Sequence, residues 1–423
     1  MKSIATVRMY PSLLVLVLTV ISITQSMAQV SVNDYQQFMA AYNDKKYEQC
    51  IQLGAPLAKQ TDHPGIQYKL AACYCQSGMT AQSLDLLDLL TKRGLPYKVE
   101  ENVDFSRLLG DKRFTAYTKV FMKNRVSIDK STVSFVINDS LLIPEGITYD
   151  ATHQTFYVGS LARQKVVRCS GTGECTDFVT AERAGFWMVV GMKVSPDAKS
   201  LWICSASERD TVNGYAGIFQ FEISSGKLLQ KFVMDNKKGG HLFNDIVITQ
   251  RGDVYFTDSK DGKVWRLPSG STTLAEHATG FVYPNGIALD EQNKVLFVAD
   301  FTGLHVVDLA SGKRSALSHQ GKTYLTGIDG LYYYKGTLLA IQDSGNQDDR
   351  VVRFQYDLKK NIISKTETLQ SFRPDFIFPT TGTFVNGQFH YIANAQLRNL
   401  QPDGSLVNPE KLVRPVILKL NID

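Results

Sequence analysis

One short phrase recurs six times along the chain, and its second residue is often of a type that binds hard cations. The phrases are PEGITYD (144–150), VVGMKVS (189–195), FNDIVIT (243–249), PNGIALD (284–290), IDGLYYY (328–334) and TTGTFVN (380–386). Their second residues are Glu145, Val190, Asn244, Asn285, Asp329 and Thr381, spaced 41 to 54 residues apart. Glu145, Asn244, Asn285 and Asp329 together offer two carboxylates and two amide oxygens, without sulfur or imidazole. Such a set suits Ca2+ best, with Mg2+ or Mn2+ as alternatives and Zn2+ ranking below them. Two negative charges balance a divalent cation, and four protein ligands leave room for water and substrate. Asn-Gly and Asp-Gly are ordinary turn pairs, so one match would mean little. Four oxygen-bearing side chains at one repeat position are harder to assign to chance.

Those residues can meet only if the fold closes on itself. Each phrase is followed by a turn and a second apolar run: TFYVGS, LWICSAS, VYFTDS, VLFVADF, LLAIQDS and FHYIANA. Several continue into a third, as in KVWRL and GLHVVDL. Six units of three or four short strands, apolar on both faces, predict a six-bladed β-propeller over residues 133–423. In a propeller the first strands line the central channel, so equivalent positions ring one axis. A β-sandwich would not hold one polar position in register six times. The ends of the second strands (Ser160, Asp258, Asp300, Asp343 and Asn394) are expected around the same mouth. Asp258 is the candidate for holding a water or acting as base. His241, three residues before Asn244, is an outside catalytic candidate; its plain alternative is a surface-loop histidine.

Residues 30–128 read differently. Tyr35, Phe38, Met39, Tyr42, Tyr47, Cys50 and Ile51 recur at three- and four-residue steps, as in amphipathic helices. A break at Ser77–Met79 and a glycine at 94, after Lys92-Arg93, mark helix ends. The stretch DFSRLLGDKRFTAYTKVF reads as a closing helix. This small α-helical domain resembles a pair of tetratricopeptide repeats. It is either a plain packing module or a site for a protein partner.

Residues 1–28 read as a signal peptide: Lys2 and Arg8, the apolar run LLVLVLTVISI, then SMA. The expectation is an exported protein, periplasmic or secreted, with no membrane span after cleavage. Loss of Lys2 and Arg8 lowers the formal charge from +5 to +3, which gives no case for nucleic acid. Six cysteines allow disulfides. Cys169 and Cys175 bracket a turn, SGTGE, and suit a hairpin bridge. Cys50 can pair with Cys73 or Cys75.

Residues 135–420 resemble the senescence marker protein-30/gluconolactonase family and, more distantly, the paraoxonases. PEGITYD, FNDIVIT with GDVYFTDS, PNGIALD with VLFVAD, and GIDGLYYY carry the resemblance. It implies one divalent metal held by Glu145, Asn244, Asn285 and Asp329, hydrolysis of a lactone or related ester, and Asp329 as base as well as ligand. Sugar-lactone enzymes of the family often place Arg two residues before the first Asn, where this chain has Leu242. An apolar Leu242, expected beside Phe243, Phe186 and Trp187, favours a less polar ring or an acyl chain. No Gly-x-Ser-x-Gly elbow supports a serine route. The expected function is therefore a metal-dependent lactonase acting on a small-molecule lactone or ester. The alternative is a non-catalytic ligand-binding or sensor propeller. A strictosidine-synthase-like propeller fits less well, because all four oxygen ligands are retained.

Overall fold

The computed structural model describes residues 31–207, 215–235, 240–343, 349–401 and 404–423. The segment read as a signal peptide lies outside them. No helix among the described residues is long and apolar enough to cross a membrane.

Six sheets form six blades, antiparallel throughout except for a two-residue parallel edge strand, Ser318–His319, in blade V. Blade I comprises Pro144–Asp150, Thr155–Ser160, Lys165–Cys169 and Cys175–Thr180. Blade II follows with Met188–Val194, Ser200–Ala206, Tyr215–Glu222 and Leu228–Asp235. Blades III, IV and V begin at Phe243, Ile287 and Ile328. Blade VI takes three strands from the C-terminal end, Gly382–Val385, Gln388–Ile392 and Val416–Asn421, and its outermost from far upstream, Ser131–Val136. Ser131 pairs with Leu420 and Val136 with Val416, so the two ends of the propeller sequence close the ring.

Burial follows from this arrangement. The second strands Ser200–Ala206, Val254–Asp258 and Val295–Asp300 are buried at every residue, because blades cover both of their faces. This is why they read as unbroken apolar runs rather than alternating ones. The outer strand Leu228–Asp235 has no neighbour on its far edge and keeps mostly half-buried and exposed positions.

The N-terminal module contains α1 (Val32–Asn43), α2 (Tyr47–Gln60), α3 (Pro64–Gln76), α4 (Thr80–Lys92) and α5 (Lys112–Asn124). The breaks expected from sequence occur where glycines adopt φ of +76° (Gly78) and +75° (Gly94). The expected closing helix is split. Val103–Leu108 forms a 3-10 turn, Gly110 takes φ of +90°, and the Asp111 carboxylate caps α5 by accepting from the amides of Arg113 and Phe114. Cys50 bonds to Cys73, joining α2 to α3, and Cys169 bonds to Cys175 across a hairpin of blade I. Cys75 stays free and buried.

The module docks on blades IV and V. Phe301, at the end of the second strand of blade IV, lies between the rings of Tyr35 (4.6 Å) and His63 (5.0 Å). Val282 joins the apolar cluster of α1, α2 and α3, and Tyr324 enters the cluster of α3, α4 and α5. His319 of blade V contacts the Asp62 carboxylate at 2.7 Å. Val282, Phe301 and Tyr324 lie in loops on the propeller face where the first strands begin, so the helices stand beside the mouth of the channel, while His319 belongs to a two-residue edge strand on the outside of blade V.

Candidate metal centre

The first strands do not run straight into their ladders. In blade I the register shifts between Pro144 and Ile147, in blade II between Val189 and Met192, in blade III between Phe243 and Ile246, and in blade V between Ile328 and Leu331. Each bulge spans one of the repeated residues and its successor: Glu145-Gly146, Val190-Gly191, Asn244-Asp245 and Asp329-Gly330. A bulge frees its residues from strand pairing and re-aims a side chain. In blade IV, Asn285 and Gly286 precede the strand and bond to Ala299 from both sides (2.8 and 2.9 Å).

The glycine after the ring residue has a steric cause. A Cβ on Gly146 would stand 2.1 Å from the Val190 carbonyl oxygen, one on Gly191 2.3 Å from that of Asn244, and one on Gly286 2.3 Å from that of Asp329. Each glycine thus receives the backbone of the next ring residue. Blade III differs: Asp245 occupies the glycine position. Its carboxylate accepts from the amides of Ile246 (2.8 Å) and Ile287 (3.2 Å).

Glu145, Asn244, Asn285 and Asp329 all line one cavity of about 650 Å3 at the channel mouth. Their settings are specific. The Ser259 hydroxyl donates to the Pro284 carbonyl (2.5 Å), so it must accept from the Asn244 amide nitrogen (3.0 Å). That fixes the Asn244 side chain and leaves its carbonyl oxygen for the cavity. Asn285 donates through Nδ2 to Asp329 Oδ1 at 2.9 Å. Thr380 and Thr381 of blade VI donate to the Glu145 carbonyl, which anchors that bulge. Glu145 Oε2 is buried and has no hydrogen-bond partner among the described residues.

The hub carries an excess of negative charge. Burial, then Asp329 and Asp245, raises the Glu145 carboxyl well above the usual range. Burial first, against the Asn285 hydrogen bond and with Asp245 and Asp343, raises Asp329 to about 7. Burial raises Asp245 to about 6, opposed by its two amide donors and by Lys193. One buried and two half-buried acids within each other's field, with an orphaned carboxylate oxygen among them, call for a cation. The residues present fit a divalent ion held by oxygen ligands.

Asp258 and His241 lie elsewhere. Asp258 is fully buried and turned into its own blade. It accepts from the Leu242 amide (3.0 Å) and from Trp265 Nε1 (3.3 Å), and contacts His241 Nδ1 at 2.6 Å. Asp300 acts in the same way, accepting from the amides of Val282 and Thr302. These strand-end acids fasten the loop before each first strand rather than face the cavity. The side chains of His241, Asp258 and Asp261 approach within 4.8 Å of one another, but Asp258 holds His241 and Lys263 holds Asp261 (3.0 Å). Asp245 was missed from sequence. Its signal was a carboxylate at a position where all five of the other phrases carry glycine.

A second cavity, of about 400 Å3, continues the channel on the opposite side of the ring and is lined by Lys193, Asp245, Tyr332 and Glu291 among others. Burial lowers the Lys193 ammonium, partly offset by Asp245.

Residues 143–332, just under half of the chain, match the family model for the SMP-30/Gluconolactonase/LRE-like region. Among solved structures the chain is similar to a gluconolactonase from Xanthomonas campestris, at 14% identity over 71% of this chain and 93% of that one, with a TM-score of 0.48. It is also similar to a calcium-binding protein, regucalcin, from Agrobacterium tumefaciens (15%, 69% and 95%, TM-score 0.48) and to a glucose dehydrogenase (13%, 69% and 100%, TM-score 0.50). At such identities the likeness is one of fold alone. No curated protein matches the chain. Residues 143–332 thus match the SMP-30/Gluconolactonase/LRE-like region, and they lie on a six-bladed β-propeller with an N-terminal helical module.

Proposed function

We propose that this protein is a metal-dependent hydrolase of a lactone or related ester, working at the hub of its propeller. The observation that carries this reading is the buried, unpartnered Glu145 Oε2 beside Asp329, Asn244 and Asn285 on one cavity wall. A divalent cation, Ca2+ by the chemistry of the donors, would be held by those four side chains and would supply Lewis-acid polarisation of a carbonyl. The chain's own residues do the rest. Asn285 fixes Asp329 so that its second oxygen can hold a water molecule and take a proton from it. Attack on the acyl carbon then breaks the acyl–oxygen bond, and the ring alkoxide takes the proton back from Asp329 and leaves as a hydroxyl, giving a hydroxy acid. His241 and Asp258 act by position: Asp258 clamps the amide of Leu242, a cavity-wall residue.

The protein is exported under the direction of residues 1–28. Two disulfides support that reading.

Elemental analysis of the purified protein, followed by a lactone and ester panel with and without chelator, tests the function. We expect about one equivalent of divalent metal, and turnover that chelation abolishes and Ca2+ restores. A metal-loaded protein that binds but never hydrolyses any member of the panel would establish a binding propeller instead.

A further inference from the structure

The walls of the mouth cavity differ in character from its floor. The floor is the ring of acids and amides. Above it stand Leu161, Trp187, Met188, Leu242, Phe378, Leu397 and others, from the loops of blades I, II, III and VI. Among the described lining residues the only carboxylates are Glu145 and Asp329, and Gln164, Ser207, Tyr283 and Gln401 add neutral polar groups between the apolar ones. Leu161, Trp187, Phe378, Leu397 and Leu400 are only half-buried, so their apolar area faces the cavity and gains from being covered.

Two of these come from an unusual source. The second strand of blade VI ends at Ile392 and the third begins at Val416. The chain between them makes a long excursion toward the mouth. Its described residues are tied together: Gln396 bonds Val413 through both its amide oxygen and its amide nitrogen (3.1 and 2.9 Å), Asn394 bonds the Arg414 carbonyl (3.0 Å), and Leu400 bridges to Leu406. The polar staples lie at its base, and Leu397 and Leu400 are presented to the cavity. A polyol would need a hydrogen-bond partner for each hydroxyl placed against this wall, and a buried hydroxyl without one is costly.

We infer that the site takes a lactone or ester bearing an extended apolar substituent, which lies against Leu161, Trp187, Leu397 and Leu400, and that the blade VI excursion is the specificity-determining element. This rests on the hydrolase reading for the reacting end of the molecule, but not for its tail.

The full-length, Ca2+-loaded protein should be assayed on γ- and δ-lactones with alkyl tails of two to ten carbons, and on δ-gluconolactone. In parallel, calorimetry should measure binding of the matching alkyl lactams, which resist hydrolysis. The expected result is a kcat/KM rising about fourfold per added CH2 until the wall is filled, with δ-gluconolactone far below the long-tailed lactones. The Leu397→Gln/Leu400→Gln variant should flatten that slope at least tenfold between the shortest and longest tails, with its melting temperature checking the fold. If the variant does not fold, the wild-type series and lactam binding decide alone. Lactone turnover with no dependence on tail length, or with δ-gluconolactone preferred, overturns the inference and leaves the hydrolase intact. Tight binding of long alkyl lactams without turnover of any lactone keeps the inference and removes the hydrolase. Neither binding nor turnover removes both.

Discussion

Asn244 shows how much one side chain depends on another. Its amide nitrogen rests on Ser259, whose proton is committed to Pro284. Ser259→Ala should therefore weaken cation binding about 10- to 100-fold while leaving every ring residue in place, and Asn244→Ala should weaken it further; titration with Ca2+ followed by calorimetry measures both. Asp245 contributes charge rather than a place on the mouth cavity. Asp245→Asn should raise the melting temperature of the metal-free protein and lower its affinity for the cation by about tenfold or more. The same charges set a pH dependence. Asp329 moves from 3.8 in the free chain to about 7 when folded, chiefly through burial. The folded, metal-free protein then binds more protons than the unfolded chain, so its stability is greatest below about pH 4 with respect to this group. That stability is lost as pH rises to 7. The gap in melting temperature between Ca2+-loaded and chelated protein should therefore widen from pH 4 to 8, a difference from which titrations elsewhere in the fold cancel. The candidate ligands were legible because a repeat turns sequence position into place. Asp258 shows the limit of that logic: the end of a strand is a position, but which way its side chain turns depends on loop amides such as that of Leu242, and these leave no periodic trace.

At the level of strands and loops, the bulges do what straight ladders could not. In blades I, II, III and V they turn a residue at the head of the first strand toward the axis, and the glycines at 146, 191 and 286 each receive the neighbouring blade's carbonyl. Gly191→Ala should push against the Asn244 carbonyl, 2.3 Å from the new Cβ, costing about 1–3 kcal/mol and loosening the cation together with the fold. Melting temperature and Ca2+ affinity should fall together. The strands themselves were readable from unbroken apolar runs because neighbouring blades cover both faces. The blade VI excursion was not, since its order comes from Gln396 and Asn394 reaching across about twenty residues. The closing helix of the N-terminal module was read too long because Gly110 and the Asp111 cap lie inside an otherwise helical pattern.

Across the whole molecule, the helical module and the propeller share a seam whose contacts no local pattern announces. Phe301 belongs to a strand end, yet its ring packs on Tyr35 and His63. Tyr324 is 1% exposed within a helical core, and Tyr324→Ala should cost about 3 kcal/mol, read as a lower unfolding midpoint in urea. His63 is buried and held neutral, its pKa lowered from 6.5 to about 4, chiefly by burial. A depressed histidine stabilises the fold above 6.5 and withdraws that support as pH falls through 4. The seam should therefore open in acid, by up to about 3 kcal/mol, and hydrogen exchange in α1 and α3 should accelerate there first.

The latch made by Ser131–Val136 and Val416–Asn421 also sets a timetable. A ribosome makes the outer member of the pair nearly three hundred residues before its partner, so the wheel stays open until synthesis is almost finished. The helices and their Cys50–Cys73 bond can form early, but their seat on Phe301 and Tyr324 is not yet built. Stop codons anywhere before Val416 should leave an unzipped ring with a bare strand edge, a ready substrate for proteases and for joining other nascent chains.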